Sequence, residues 1–182
     1  MSRIGIPALD QTPAASLPLL DGVKKQLGIV PNLMKVVGNS PAALGGYLSL
    51  GNALAKGALG AKTGERIALA VAEINGCGYC LAAHTYLGKN AAKLDDAEIA
   101  ANRSGRSNDP RADAAVRFAA SVALERGHVS DAAVQAVKSA GYGDAEVMEI
   151  VAHVALNTLT NYVNVVAQTE IDFPAVDLKR AA

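Results

Sequence analysis

The 182-residue sequence predicts an all-α fold. Apolar residues recur at helical spacing in most segments, no run sustains the period-two alternation of a half-buried strand, and the β-branched residues fall mostly inside helical patterns. Proline, glycine and N-cap residues cut the chain into helix-length pieces. With 51% hydrophobic residues the chain can fill a core of its own. A single domain over 1–182 is expected, with an N-terminal arm and short helices over 1–40, a cysteine-bearing core over 41–101 and C-terminal helices over 109–167. No fixed-period repeat, low-complexity tract or charged linker divides it.

From Pro7 to about Pro18, proline and small residues without a clear period read as an irregular arm. A short helix is expected from Leu19 to Leu27, closed by Gly28, and another is opened by Pro31, where the missing N–H is not needed. Ser40-Pro41 repeats the device, and Leu44, Tyr47, Leu48 and Leu54 keep helical spacing until Gly57 and Gly60 break it. Thr63 reads as the next N-cap, placing Glu65 in the first turn and Ile67, Ala70, Val71 and Ile74 on one apolar stripe. Ala68, Leu69 and Ala72 occupy the opposite face, so this helix is apolar nearly all round and is expected to be buried. Asn75-Gly76 interrupts it. Cys77 through Leu87 then reads as a re-aimed helix ending near Gly88, with the cysteines in its opening turn. The polar stretch Asn102 to Asp109 reads as a surface loop or a hinge. Asp109-Pro110 starts a long helix to about Arg126, and Ser130-Asp131 starts a shorter one. Asp144 begins a last long helix to about Val166, striped by Val147, Ile150, Val151 and Val154.

Composition removes several function classes. Lysine and arginine number 17, as do aspartate and glutamate, so no positive excess is available to neutralise phosphates, and nucleic acid is not an expected partner. Aromatic residues make up 4%, with no tryptophan, which leaves little material for base-stacking surfaces. The N-terminus, Met1-Ser2-Arg3-Ile4-Gly5-Ile6-Pro7, holds no apolar stretch of signal-peptide length, and no segment nears a membrane span. A cytoplasmic protein with no membrane attachment is expected.

The chain has two cysteines, three positions apart, too close for a bridge between them to constrain much of the unfolded chain. Closely spaced cysteines in a reducing compartment are more often catalytic or metal-binding than structural. A thiol acts as a nucleophile only as thiolate, and the backbone N–H groups at a helix N-terminus favour that anion; Gly76 and Gly78 place the cysteines there. His84 follows Cys80 by one helical turn on the same face, which makes Cys80 the better-activated thiol. Cys77 is then placed to attack a sulfenic acid on Cys80 and release water as the disulfide closes.

Other readings stay open. The cysteines can be small hydrophobic core residues. Cys77, Cys80 and His84 can be zinc ligands completed by Glu65, His128, His153 or a neighbouring chain, although the second paired motif of most structural zinc sites is missing. Attachment of haem through Cys-x-x-Cys-His is excluded by Leu81. Glu65 is either a carboxylate complementing its helix dipole or a partner of His84, with Glu73 a weaker candidate of the same kind. His153, Asn157, Asn161 and Asn164 recur at near-helical spacing and read as a pocket lining or as polar groups that satisfy one another at a subunit interface. His128, after Gly127, reads as a helix-end cation.

Glu65, eleven residues, Cys77-Gly78-Tyr79-Cys80, three residues and His84 together resemble the alkyl hydroperoxidase D pattern of the carboxymuconolactone decarboxylase superfamily. The resembling core covers about Pro41 to Gly88, and Val30-Pro31-Asn32-Leu33 and Gly46-Tyr47-Leu48 look like peroxidase-related members. The resemblance implies an all-helical fold, assembly as trimers or hexamers, Cys80 as peroxidatic and Cys77 as resolving cysteine, and a proton relay through His84 with Glu65 behind it. The best-known members have histidine between the cysteines where this chain has Tyr79, and the related decarboxylases generally lack the paired cysteines. A thiol-dependent peroxidase acting on hydrogen peroxide or organic hydroperoxides is therefore expected. No flavin or nicotinamide fingerprint is present, so no bound cofactor is expected, and a lipoyl-bearing or thioredoxin-like dithiol would supply the electrons. A zinc-binding protein, a cofactor-free decarboxylase-like enzyme and a disulfide reductase are the alternatives.

Overall fold

A computed structural model describes residues 2–179. After two short 3-10 turns in the arm, the chain forms α1 (Leu17–Leu27), α2 (Asn32–Val37), α3 (Pro41–Leu54), α4 (Gly60–Ile74) and α5 (Gly78–Asn90). These are followed by α6 (Asp96–Asn102), α7 (Pro110–Leu124), α8 (Asp131–Ser139) and α9 (Asp144–Ala167), with no strand among the described residues. The expected all-α fold is therefore the fold observed.

Helix α4 is the central element, as its all-round apolar pattern predicts: every residue from Arg66 to Ala72 is buried, and α5, α7 and α9 pack around it. Two core clusters meet at this helix. One joins Leu20, Leu33, Leu44, Leu69, Leu81 and both cysteines. The other joins Ile67, Val71, Phe118, Val137 and Ile150 on the α7, α8 and α9 side. The cysteine motif therefore starts inside a hydrophobic core.

Local caps explain most helix starts. Ser40, Asp109 and Ser130 accept hydrogen bonds from the backbone N–H groups of Ala43, Ala112 and Ala133 at 3.2, 2.9 and 3.2 Å. Gly28 ends α1 in the left-handed conformation, φ +78°.

Helix α4 departs from expectation: it starts at Gly60 rather than after Thr63, so Glu65 lies in its second turn. Its cap is Glu149 of α9, whose carboxylate accepts from the N–H groups of Ala58 and Leu59, both at 3.0 Å. A carboxylate there satisfies the N–H groups at the entry to the helix and complements its dipole. Helix α5 does not end at Gly88. That glycine is buried inside the helix, where a Cβ would come within 3.3 Å of Leu94, and glycine there permits the close packing.

Helix α6, capped by the Asp95 carboxylate on the Glu98 N–H at 2.7 Å, is an addition to the sequence reading. Its Glu98 holds the segment expected to be a loop or hinge. The carboxylate accepts from Arg66 at 2.7 Å, Asn102 at 3.1 Å, the Ser107 hydroxyl at 2.5 Å and the Asn108 N–H at 2.7 Å. The segment is thus a loop bound to the central helix. Helix α9, at 24 residues, is long and apolar enough by length and composition to cross a membrane, which corrects the expectation that no segment comes near. Asn157, Asn161 and Asn164 are buried along it, whereas Val151 of its expected stripe is exposed.

Candidate active site

Helix α4 stops at Asn75, and Gly76 reverses the chain with φ +65°, a conformation that strains any residue with a Cβ. Cys77 follows as the extended N-cap of α5, its N–H donating to the Ala72 carbonyl at 3.0 Å. Its sulfur accepts the Cys80 N–H at 3.2 Å, the position an N-cap oxygen would occupy. The two sulfurs are paired as a disulfide, with the Cα atoms 5.3 Å apart. Both cysteines are buried, at 1% and 2% exposure.

His84, one turn beyond Cys80, does meet Glu65: Nδ1 lies 2.9 Å from a Glu65 carboxylate oxygen, and each side chain is 21% exposed. The second turn of α4 thus faces the second turn of α5. Neither sulfur receives a hydrogen bond from His84 among the described residues. Two further groups lie in the field of Glu65. Tyr47 of α3 has its pKa raised by burial and then by the Glu65 charge. His153 of α9 rests on Gly64, whose missing side chain makes room: a Cβ there would lie 3.0 Å from the ring. Burial lowers the His153 pKa, with Glu149 and Glu65 partly opposing the shift.

Tyr79 has no access to proton-transfer work. Its hydroxyl donates to Asp172 at 2.7 Å and accepts from the Leu33 N–H at 3.1 Å, while its ring meets Phe173 edge-on with centroids 5.8 Å apart. Burial drives its pKa far up; the Leu33 donor opposes this and Asp172 adds to it, so the phenol stays protonated. Asp172 also accepts from the Asn32 N–H at 2.8 Å. Tyr79 therefore ties the N-terminus of α2 and the segment after α9 to the cysteine motif. Farther along that segment, Arg103 donates to the Asp177 carbonyl at 2.6 Å, and Glu73 accepts from the Lys179 N–H at 2.5 Å.

Within the chain, the polar side chains of α9 bond groups other than one another's side chains. Asn157 donates to the His153 carbonyl at 2.8 Å, Asn161 accepts from Asn75 at 2.9 Å, and the Asn164 amide donates to the Cys80 sulfur at 3.2 Å. The Asn161 amide nitrogen and the Asn164 oxygen remain buried without a partner, and such orphans typically cost about 1–3 kcal/mol each. Sequence reasoning missed Asn164 as a sulfur contact, since 84 residues separate it from Cys80 and helical spacing alone was the available signal. Glu73 is engaged elsewhere, ion-paired with Arg103 at 2.7 Å, and His128 is exposed beyond α7. Among the described residues no group of three or more His, Cys, Asp or Glu side chains converges as a metal-ligand set.

Residues 41–120, which span the motif, match the carboxymuconolactone decarboxylase family. Comparison with curated proteins gives no match. Among solved structures, the chain resembles a peroxidase-related protein with an alkylhydroperoxidase AhpD core from Ralstonia eutropha JMP134, with a TM-score of 0.84, 23% identity, and coverage of 94% of this chain and 92% of that one. A peroxidase-related protein from Silicibacter sp. TM1040 gives 0.79, 23%, 93% and 91% in the same order. The debrominase Bmp8 gives 0.77, 18%, 93% and 91%. The motif-bearing segment thus matches the carboxymuconolactone decarboxylase family, and the chain shares its fold along nearly its whole length with these solved structures.

Proposed function

We propose that this protein is a thiol peroxidase that reduces hydrogen peroxide or organic hydroperoxides, with Cys80 attacking, Cys77 resolving, and His84 and Glu65 moving the proton. The observation that carries the reading is a disulfide-capable cysteine pair at the N-terminus of α5 with a Glu65–His84 couple one turn along the same helix. The peroxidase-related names of two structural neighbours agree with it.

In the first step the Cys80 thiolate attacks the O–O bond, forming S–O and breaking O–O, and the departing alkoxide takes a proton to leave as alcohol or water. His84 supplies that proton, oriented by the carboxylate on its Nδ1, and a water or the peroxide itself bridges the ring to the sulfur. Cys77 then attacks the sulfenic sulfur, water departs, and the disulfide forms. A dithiol protein, lipoyl-bearing or thioredoxin-like, reduces it, and no bound cofactor enters the cycle.

Peroxide consumption by the Cys80→Ser and Cys77→Ser variants tests the assignment. Cys80→Ser is expected to lose turnover, whereas Cys77→Ser should accumulate a sulfenic acid detectable by mass after one equivalent of peroxide. Wild-type turnover by Cys80→Ser would sink the reading. Cyclic-acid decarboxylation that survives loss of both cysteines would instead favour the decarboxylase alternative, and disulfide exchange without any peroxide turnover would favour a disulfide reductase.

A further inference from the structure

We infer that Asn164 is a positioning residue that favours Cys80, rather than Cys77, as the thiolate. The inference deepens the thiol chemistry proposed above and rests on it for its catalytic meaning, although not for its test. The Asn164 side chain comes from the last turn of α9, 4% exposed, and its amide nitrogen stands 3.2 Å from the Cys80 sulfur, itself 2% exposed. The oxygen of the same amide has no partner, so the contact with sulfur is the amide's one hydrogen bond among the described residues.

The side chain is also held in place. The Asn164 carbonyl accepts the N–H groups of both Gln168 and Thr169 at the end of α9. One turn earlier, Asn161 accepts from Asn75 at 2.9 Å, which fixes α9 against the turn that precedes Cys77. The amide therefore approaches the sulfur from a docked helix.

An N–H donated to sulfur interacts far more strongly with the anion than with a neutral thiol, whose sulfur is a weak acceptor. Away from bulk water that difference is not levelled by competing solvent. Cys77 receives a donor too, the Cys80 N–H, but that group belongs to the turn itself and serves any residue at the N-cap. Asn164 is the donor that distinguishes the second cysteine. The titratable groups that face this end of α5 are Tyr79 and His84 on α5 itself, Glu65 on α4, Tyr47 on α3 and Asp172 in the segment after α9. Glu65 and His84 are bonded to each other, as are Tyr79 and Asp172.

The test uses the full chain carrying Cys77→Ser, in which Cys80 is the sole cysteine. Ultraviolet thiolate absorbance against pH, referenced to the variant lacking both cysteines, reads its ionisation directly. Adding Asn164→Ala or Asn164→Leu, neither of which can donate this bond, should raise the midpoint by about one pH unit, leaving about tenfold less thiolate below it. An unmoved midpoint in a variant that keeps the helical circular dichroism would overturn the inference. A second measurement needs no substitution at Asn164: in Cys77→Ser, the Asn164 side-chain amide resonance should titrate through the Cys80 midpoint, and a resonance that stays put overturns the inference equally. Neither readout involves peroxide. A raised midpoint in a protein that turns over no peroxide would count against the peroxidase and leave the Asn164 role standing; intact turnover with an unmoved midpoint would do the reverse.

Discussion

His84 and Glu65 are bonded at 2.9 Å, each keeps a fifth of its side chain in solvent, and proton movement is the role we propose for them. His84→Ala or Glu65→Gln is expected to lower peroxide turnover by about 100-fold with little change in unfolding free energy. Equal losses in turnover and stability would assign the couple to the scaffold instead. Tyr79 is the opposite case. Its buried hydroxyl serves two partners, so Tyr79→Phe should cost about 1–2 kcal/mol in denaturant unfolding by leaving Asp172 and the Leu33 N–H short of a partner. The difference between the two residues shows what was legible in the sequence. The spacing from Cys80 to His84 is local and helical, so it could be read directly. The Glu65 contact was implied only by resemblance, and the Asp172 and Asn164 partners lie more than 80 residues away, beyond any local pattern.

Among the elements, the loop after α6 and the start of α4 each depend on one carboxylate. Burial alone would raise the Glu98 pKa, but donation from Ser107, Asn108, Asn102 and Arg66 overcomes it and holds the group at about 2, below the ordinary 4.5. A depressed folded-state pKa means that the unfolded chain binds the proton more tightly. The stabilisation is therefore complete above about pH 4.5 and is lost as the pH falls through about 2, a change of about 3 kcal/mol. Glu98→Gln should flatten that acid limb in urea titrations and, by stranding the buried Arg66, cost about 3 kcal/mol near neutrality. At α4, a Cβ on Gly57 would lie 2.5–2.8 Å from the Glu149 carboxylate, so Gly57→Ala should dislodge the cap and lower stability by about 1 kcal/mol. Starts capped by the preceding residue, at Ser40, Asp109 and Ser130, could be read from sequence. Helix α4 could not, because its cap comes from α9. Helix α6 carried a readable signal, Asp95 followed by Glu98 three residues later, hidden behind the shortness of the segment.

Over the whole molecule, Met148, Leu159, Tyr162 and Val166 stand exposed along α9, and a groove of about 450 Å³ opens between α2, α3 and α9. We propose self-association through this face, since large exposed apolar patches mark contact sites and a net charge of zero does not oppose it. Sedimentation should find a trimer or hexamer that Tyr162→Glu weakens, and a strictly monomeric wild type would refute it. All-α architecture was the most legible property of the sequence, because helical periodicity and punctuation recur along most of the chain. The segment after α9 was the least legible, since it is held by side chains from α2, α4, α5 and the loop after α6. Its hydrogen-bonded anchor on α5 is Tyr79, one of the two residues between the cysteines. Making or breaking the sulfur bond and docking the segment after α9 are therefore expected to be linked through Tyr79, and linkage is reciprocal. The factor by which reduction loosens this segment, measured by hydrogen exchange, should equal the factor by which removing it displaces the dithiol–disulfide balance in a glutathione buffer. The segment after α9 would then be a thermodynamic gauge of the state of the cysteines.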